Sequence, residues 1–231
     1  MARHNFSKTD TEHNGLRAAV LGANDGIVSI AGLVIGIAGA QQSKLAILTA
    51  GLAGIVAGAM SIAAGEYVSV CAERDFEEAM LKQERRDLRE HPQDELRDLE
   101  EAYEDDGLGK KEALDIAKEM TKANAFKVHA DVDLHIDPAH LTSPWSSVLA
   151  SSGSFILGSV VPLIAVMIPA GRYYVGVTFL SVLIALTVTG VISARASGTA
   201  VFKPVARVVI GGAIAMTVTY VIGNVFHIIG A

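Results

Sequence analysis

Cysteine is almost absent from this chain. Cys71 is the only one among 231 residues, which excludes an intrachain disulfide framework and a cysteine-based zinc site. Charge is scarce as well: Asp, Glu, Lys and Arg make up 19% of the residues, where a soluble domain carries about 25%. Outside residues 73–137 there are only four of the 25 acids and eight of the 19 bases. That scarcity excludes an ordinary soluble enzyme. What is there instead is apolar, with 51% hydrophobic residues and long runs free of charge. Residues 73–137 are the opposite case, with 21 acids and 11 bases. So acidic a segment argues against nucleic acid as a partner.

A helix needs about 20 mostly apolar residues to cross the hydrocarbon core of a bilayer. Five segments meet that length: 17–39, 45–65, 146–168, 173–194 and 208–229. Asn24-Asp25-Gly26 interrupts the first, and Pro169-Ala170-Gly171-Arg172 splits the third from the fourth. The expected fold class is therefore an all-α membrane protein: five transmembrane helices with a three-helix, cytoplasmic acidic insert extending from the second span. The expected domains are a tail over 1–16, two spans over 17–72, an acidic helical domain over 73–140 and three spans over 141–231. The first apolar stretch contains Asp25 and has no clear cleavage signature, so it reads as a retained span and not a removed signal peptide.

Lys and Arg placement sets the orientation. Arg3, Lys8 and Arg17 lie in the N-terminal tail, and Arg195, Lys203 and Arg207 between the last two spans. Lys44 and Arg172 are alone in the other two short loops. Placing the tail, the insert and the 195–207 loop in the cytoplasm satisfies every short loop and leaves the C-terminus outside.

The first two spans carry the glycine pairs Gly22/Gly26, Gly32/Gly36 and Gly54/Gly58, each four residues apart. Such pairs let helix backbones approach closely in lipid, either within one subunit or at a dimer seam. Asp25 lies about eight residues into span one, about 12 Å below the membrane surface at 1.5 Å per residue. An ionisable group at that depth marks a transport path by default; the plainer reading is a structural carboxylate bonded to Asn24 or to a neighbouring helix. Gly26 is placed to loosen the helix and free a carbonyl. Glu66, at the end of span two, reads equally as a path residue or as an interfacial acid. Met60 is a soft candidate ligand for a transition metal, or simple packing.

Within the insert, residues 67–91 read as one helix continuing from span two, ended by Pro92; 93–105 and 110–135 read as two more. Glu84 with Asp87, and Glu95 with Asp98, are three residues apart and share a face; His129 and Asp133 are four apart. Carboxylates with a little imidazole suit Mn²⁺ or Fe²⁺ better than Cu⁺. The plain alternative is a solvated charged face neutralised by Arg85, Arg86, Arg89 and Arg97. Glu-x-x-His, the signature of a ferritin-like di-iron bundle, does not occur, and nothing else points to an enzyme.

Ala23-Asn24-Asp25-Gly26-Ile27-Val28, Ala64-Gly65-Glu66-Tyr67-Val68-Ser69 and the acidic insert before three further spans resemble the vacuolar iron transporter family, in its bacterial branch. The resemblance covers nearly the whole chain in order. It implies a homodimer of five-span subunits in the bacterial cytoplasmic (inner) membrane, moving Fe²⁺ or Mn²⁺ out of the cytoplasm by proton antiport, with no prosthetic group. It also implies that the insert is a cytoplasmic metal-binding domain, with Asp25 in the path and Glu84, Asp87, Glu95, Asp98 and Asp133 as acidic ligands. There are departures. Aspartate stands at three places where the family commonly has glutamate, His129 and Ala130 stand where relatives can carry methionine, and Ile62 occupies a frequent path-methionine position. Two other readings compete: a carrier for another solute regulated by metal, and a membrane-anchored metal buffer or sensor without transport. A buffer has no use for Asp25 in lipid.

Overall fold

A computed structural model describes residues 6–139, 141, 143–168 and 173–230, with side chains described from residue 18 onward. Arg3 and the Pro169–Arg172 break lie outside the described residues, as do the side chains of Lys8 and Arg17. In chain order the helices are α1 (Phe6–Gly39), α2 (Lys44–Glu90), α3 (Pro92–Asp105), α4 (Lys110–Val132), α5 (Pro144–Met167), α6 (Tyr174–Ala196) and α7 (Phe202–Gly230). There is no strand among the described residues. Five of the helices, α1, α2, α5, α6 and α7, are long and apolar enough to cross a membrane. This is an all-α membrane protein. The chain divides into two compact units, Met1–Tyr67 with Trp145–Ala231, and Val68–Pro144.

In the first unit the helices are apolar on both faces, as lipid requires. On α6 a stripe four residues apart, Thr178, Val182, Leu186, Gly190 and Ala194, is buried. Val177, Leu180, Ile184, Val188 and Ile192, which are equally apolar, are exposed. Helix α1 supplies the largest share of the core, through Ile27, Ile30, Ala31, Val34, Ile35 and Ala38. The glycine pairs serve packing within this unit. A Cβ on Gly22 or Gly26 would overlap the backbone carbonyl of Ser151 or Phe155 on α5, and one on Gly158 would overlap that of Ala23. On α7 a Cβ on Gly39 would overlap the Tyr220 carbonyl and one on Gly36 would sit 3.3 Å from that of Thr219, and Gly58 meets the Phe155 ring. Helix α1 passes unbroken through Asn24-Asp25-Gly26. Gly26 thus frees no carbonyl here: its missing side chain is taken up by the backbone of α5. Helix α7 begins at Phe202, so Arg207, expected in a loop, lies inside the helix.

The second unit is built from the C-terminal part of α2, from α3 and from α4. Pro92 does not simply end α2; it occupies the first turn of α3, where its missing N–H leaves no bond unmade. Asp94 and Glu95 in the same turn complement the positive helix end. Gly107 takes a φ of +96° between α3 and α4, a left-handed conformation that favours glycine. Leu99, Ala117 and Val128 form one small core, and Leu81, Ala130 and Ile136 another.

Candidate functional site

Helix α4 is broken at Asn124, whose φ of −166° and ψ of 86° are not helical. The Asn124 side-chain oxygen accepts the Lys127 backbone N–H at 3.1 Å, capping the final turns of α4 as a fresh helix start. Those turns are held on the α2 side by Arg85, whose guanidinium lies 4.2 Å from the centre of the Phe126 ring. The result is to fix His129 and Asp133. The His129 side chain is wholly buried, and its Nδ1–H donates to Asp133 Oδ2 at 2.8 Å. The same nitrogen is 3.4 Å from Glu84 Oε1 on α2 and 3.5 Å from Glu95 Oε2 on α3. Three helices thus place three carboxylates around one imidazole.

Glu84 is nine-tenths buried. Burial pushes its carboxyl up to about 7, helped by the charge of Glu95, a hydrogen bond with Glu95 and the charge of Asp133, and opposed by His129. For His129, burial works against the charged ring, but the hydrogen bond to Asp133 and the charges of Asp133, Glu84 and Glu95 outweigh it and raise its pKa. Among the described residues no Lys or Arg pairs with Glu84, Glu95 or Asp133. Glu84 Oε1 and His129 Nε2 are buried without a hydrogen-bond partner, a state that costs about 1–3 kcal/mol per group. Ligand atoms of Glu84, His129 and Asp133 lie within 4.8 Å of one another. Carboxylate oxygen with one imidazole nitrogen is a donor set for a divalent first-row cation.

Inside the first unit a cleft of about 700 Å³ is lined by Asn24 and Asp25 of α1, Ile62 and Glu66 of α2, Ser151 of α5 and Arg207 of α7. Asp25 Oδ1 accepts the Ser29 hydroxyl at 3.0 Å, and Glu66 Oε1 accepts the Ser151 hydroxyl at 2.8 Å. Asn24 Oδ1 is buried with no partner. The cleft offers oxygen donors and no sulfur: Met60 is 69% exposed and does not line it.

A model of the VIT family matches residues 16–224. The chain belongs to the VIT family. Among its relatives, the "Vacuolar iron transporter" of Acanthamoeba castellanii is 36% identical over 209 residues, covering 90% of this chain and 77% of that protein. The "Vacuolar iron transporter homolog 2.1" of Arabidopsis thaliana is 36% identical over 206 residues, 89% of this chain and 78% of the relative. The "Vacuolar iron transporter homolog 5" of Oryza sativa subsp. japonica is 34% identical over 218 residues, 94% and 83%.

In this VIT-family chain the residues singled out from sequence fall into two places and a remainder. Glu84, Glu95, His129 and Asp133 come together; Asn24, Asp25 and Glu66 share the cleft. Asp87 is half-buried with both carboxylate oxygens accepting from Gln83 Nε2, at 3.0 and 2.9 Å. Asp98 is exposed. Arg97 neutralises Asp94 and Glu101, at 3.6 and 3.9 Å, and not the buried acids. Sequence reasoning missed Ser151, Ser29 and Arg207. A serine one turn after Asp25 was a readable signal for Ser29; nothing local pointed to Ser151, which is 85 residues from Glu66.

Proposed function

We propose that this VIT-family chain is a transporter of a divalent transition metal, Fe²⁺ or Mn²⁺. It moves the ion out of the cytoplasm in exchange for protons, as a homodimer. The acidic unit faces the cytoplasm and captures the ion at Glu84, Glu95, His129 and Asp133. The observation that carries this reading is the presence of Asp25 and Glu66 in one cleft of a unit made of apolar helices. Carboxylates in such surroundings are costly unless an ion, a proton or water meets them, and a cation path uses that cost. The names of the relatives support iron as cargo, and the lysine and arginine distribution supports the orientation. Exchange with protons follows from the potential: exporting each positive charge against a negative-inside membrane costs about 2.3 kcal/mol per 100 mV.

The test uses proteoliposomes with a pH-sensitive dye inside and Mn²⁺ or Fe²⁺ added on the side carrying the acidic unit. Metal entry should make the lumen alkaline, and an imposed lumen-acidic gradient should accelerate it. Metal flux with no pH change and no response to the gradient rejects antiport; no metal flux at all rejects transport.

A further inference from the structure

The serines of α5 divide by where their hydroxyls bond. Ser152, Ser154 and Ser159 donate to the carbonyls of Val148, Ala150 and Phe155, each four residues back in the same helix, the local bond open to any helical serine. Ser151 departs from that habit. Its hydroxyl donates at 2.8 Å to Glu66 Oε1 on α2, 85 residues away in the chain, although the residue is only 3% exposed. Its backbone carbonyl lies against α1, where a Cβ on Gly22 would overlap it. Gly22 precedes Asp25 by three residues, close to one helical turn. One buried residue thus touches both the helix that carries Asp25 and the carboxylate of Glu66, and it lines the cleft that holds them.

From these contacts we propose that Ser151 is a positioning residue of the transport cleft. It fixes the Glu66 carboxylate against the α1 frame that carries Asp25, so that an entering cation meets Glu66 already in place. The inference rests on the transport reading above and adds the residue that sets the geometry. An untethered glutamate gives up rotamer freedom each time an ion binds; a tethered one has given it up beforehand, and the saving appears as affinity. The bond engages Oε1 and leaves Oε2 for the cation. A hydroxyl is both donor and acceptor. It donates to ionised Glu66 and accepts from the protonated carboxyl, so the tether holds through the proton exchange assigned to this cleft.

The experiment compares wild type with Ser151→Ala, Ser151→Thr and Ser152→Ala. Mn²⁺ KM and kcat are measured in proteoliposomes. Direct Mn²⁺ binding is measured on purified protein in which Glu84 and Glu95 are replaced by Gln to silence the acidic unit. Ser151→Ala should raise Kd and KM about tenfold, the loss expected when a hydrogen bond to a charged group is withdrawn, with kcat within about twofold of wild type. Ser151→Thr keeps the hydroxyl and should recover most of that loss. Ser152→Ala, one residue along, should change neither constant. In protein also carrying Glu66→Ala, Ser151→Ala should leave the residual Mn²⁺ binding as it is, because no carboxylate remains to be positioned. Wild-type Kd in Ser151→Ala, a further loss in the Glu66→Ala background, or a loss that Ser151→Thr fails to recover at a wild-type thermal midpoint overturns the proposal. A lowered kcat and thermal midpoint with unchanged KM in Ser151→Ala assigns the residue to packing and overturns it too. Wild-type liposomes without metal flux would instead reject the transport reading itself.

Discussion

His129 Nδ1 lies 2.8 Å from Oδ2 of Asp133, four residues on at the C-cap of α4. That bond fixes the ring so that the same nitrogen also faces Glu84 and Glu95. Asp133, Glu84 and Glu95 all favour the charged form of that ring, and a metal ion would take over the electrostatic role of its proton.

The stability of the acidic unit should fall as pH rises. Glu84 is pushed from 4.5 up to about 7 by burial and by Glu95, so between those values the folded unit holds a proton that the unfolded chain has lost. His129, also raised, holds its proton above its unfolded value of about 6.5. Both contributions are complete below the unfolded pKa values and are lost as pH rises through the folded ones. Metal needs the deprotonated groups, so Mn²⁺ should bind more tightly at about pH 8 than at about pH 6. Thermal melts and calorimetry at both pH values check this, and a metal-free midpoint that rises with pH would refute it.

Geometry separates the five acidic positions that spacing alone treated alike. Mn²⁺ at about 100 times its Kd should stabilise the unit by about 2.7 kcal/mol. Glu84→Gln or Glu95→Gln should remove most of that gain, whereas Asp98→Asn should keep most of it, because Asp98 is exposed. Equal losses for Glu84→Gln and Asp98→Asn would mean that the ion sits further along α3 than Glu95 does.

Much of the architecture was legible because lipid imposes a simple rule. Five apolar runs gave the five membrane helices, and Pro92 marked the junction of α2 and α3. The start of α7 was not legible: Lys203, Pro204 and Arg207 look like loop residues, but Pro204 tolerates an early helical position and Arg207 lines the cleft of the first unit. Asn24-Asp25-Gly26 looked like a break for the same reason, local propensity. Tertiary packing decided otherwise, since Gly26 is consumed by the backbone of α5. The acid cluster was half legible. Spacing on one helix identified candidate pairs, but which of them meet across α2, α3 and α4 depends on the break at Asn124, which no spacing rule signals.

Asp25→Asn should keep the fold and abolish metal flux. Asparagine preserves size and can still accept the Ser29 hydroxyl that Asp25 now accepts at 3.0 Å; what it loses is the charge that binds a divalent ion. Ser29→Ala should lower flux far less, since it only removes one exposed hydrogen bond worth about 0.5–1.5 kcal/mol. Wild-type Mn²⁺ flux in Asp25→Asn liposomes would remove Asp25 from the path.

The glycines of the first unit allow a test of packing against function at neighbouring residues. A Cβ on Gly26 would overlap the Phe155 carbonyl and lie 2.8 Å from Ser159 Oγ, and one on Gly158 would overlap the Ala23 carbonyl. Backbone cannot rotate out of the way, so Gly26→Ala or Gly158→Ala must push α1 away from α5. Overpacking of this kind costs about 1–3 kcal/mol, sometimes more. Gly153 on the same α5 is the matched control: a Cβ there meets nothing within 4 Å. Gly153→Ala should be neutral or slightly stabilising, because glycine inside a helix costs about 0.5–1 kcal/mol relative to alanine. The close contacts lie on both sides of Asp25 along α1, so displacing the helix also displaces the carboxylate. Thermal midpoint in detergent and Mn²⁺ flux should therefore fall together in Gly26→Ala and Gly158→Ala, and neither should fall in Gly153→Ala. Lost flux with an unchanged midpoint in Gly26→Ala would show instead that Gly26 serves the ion directly, and that α5 tolerates the added methyl.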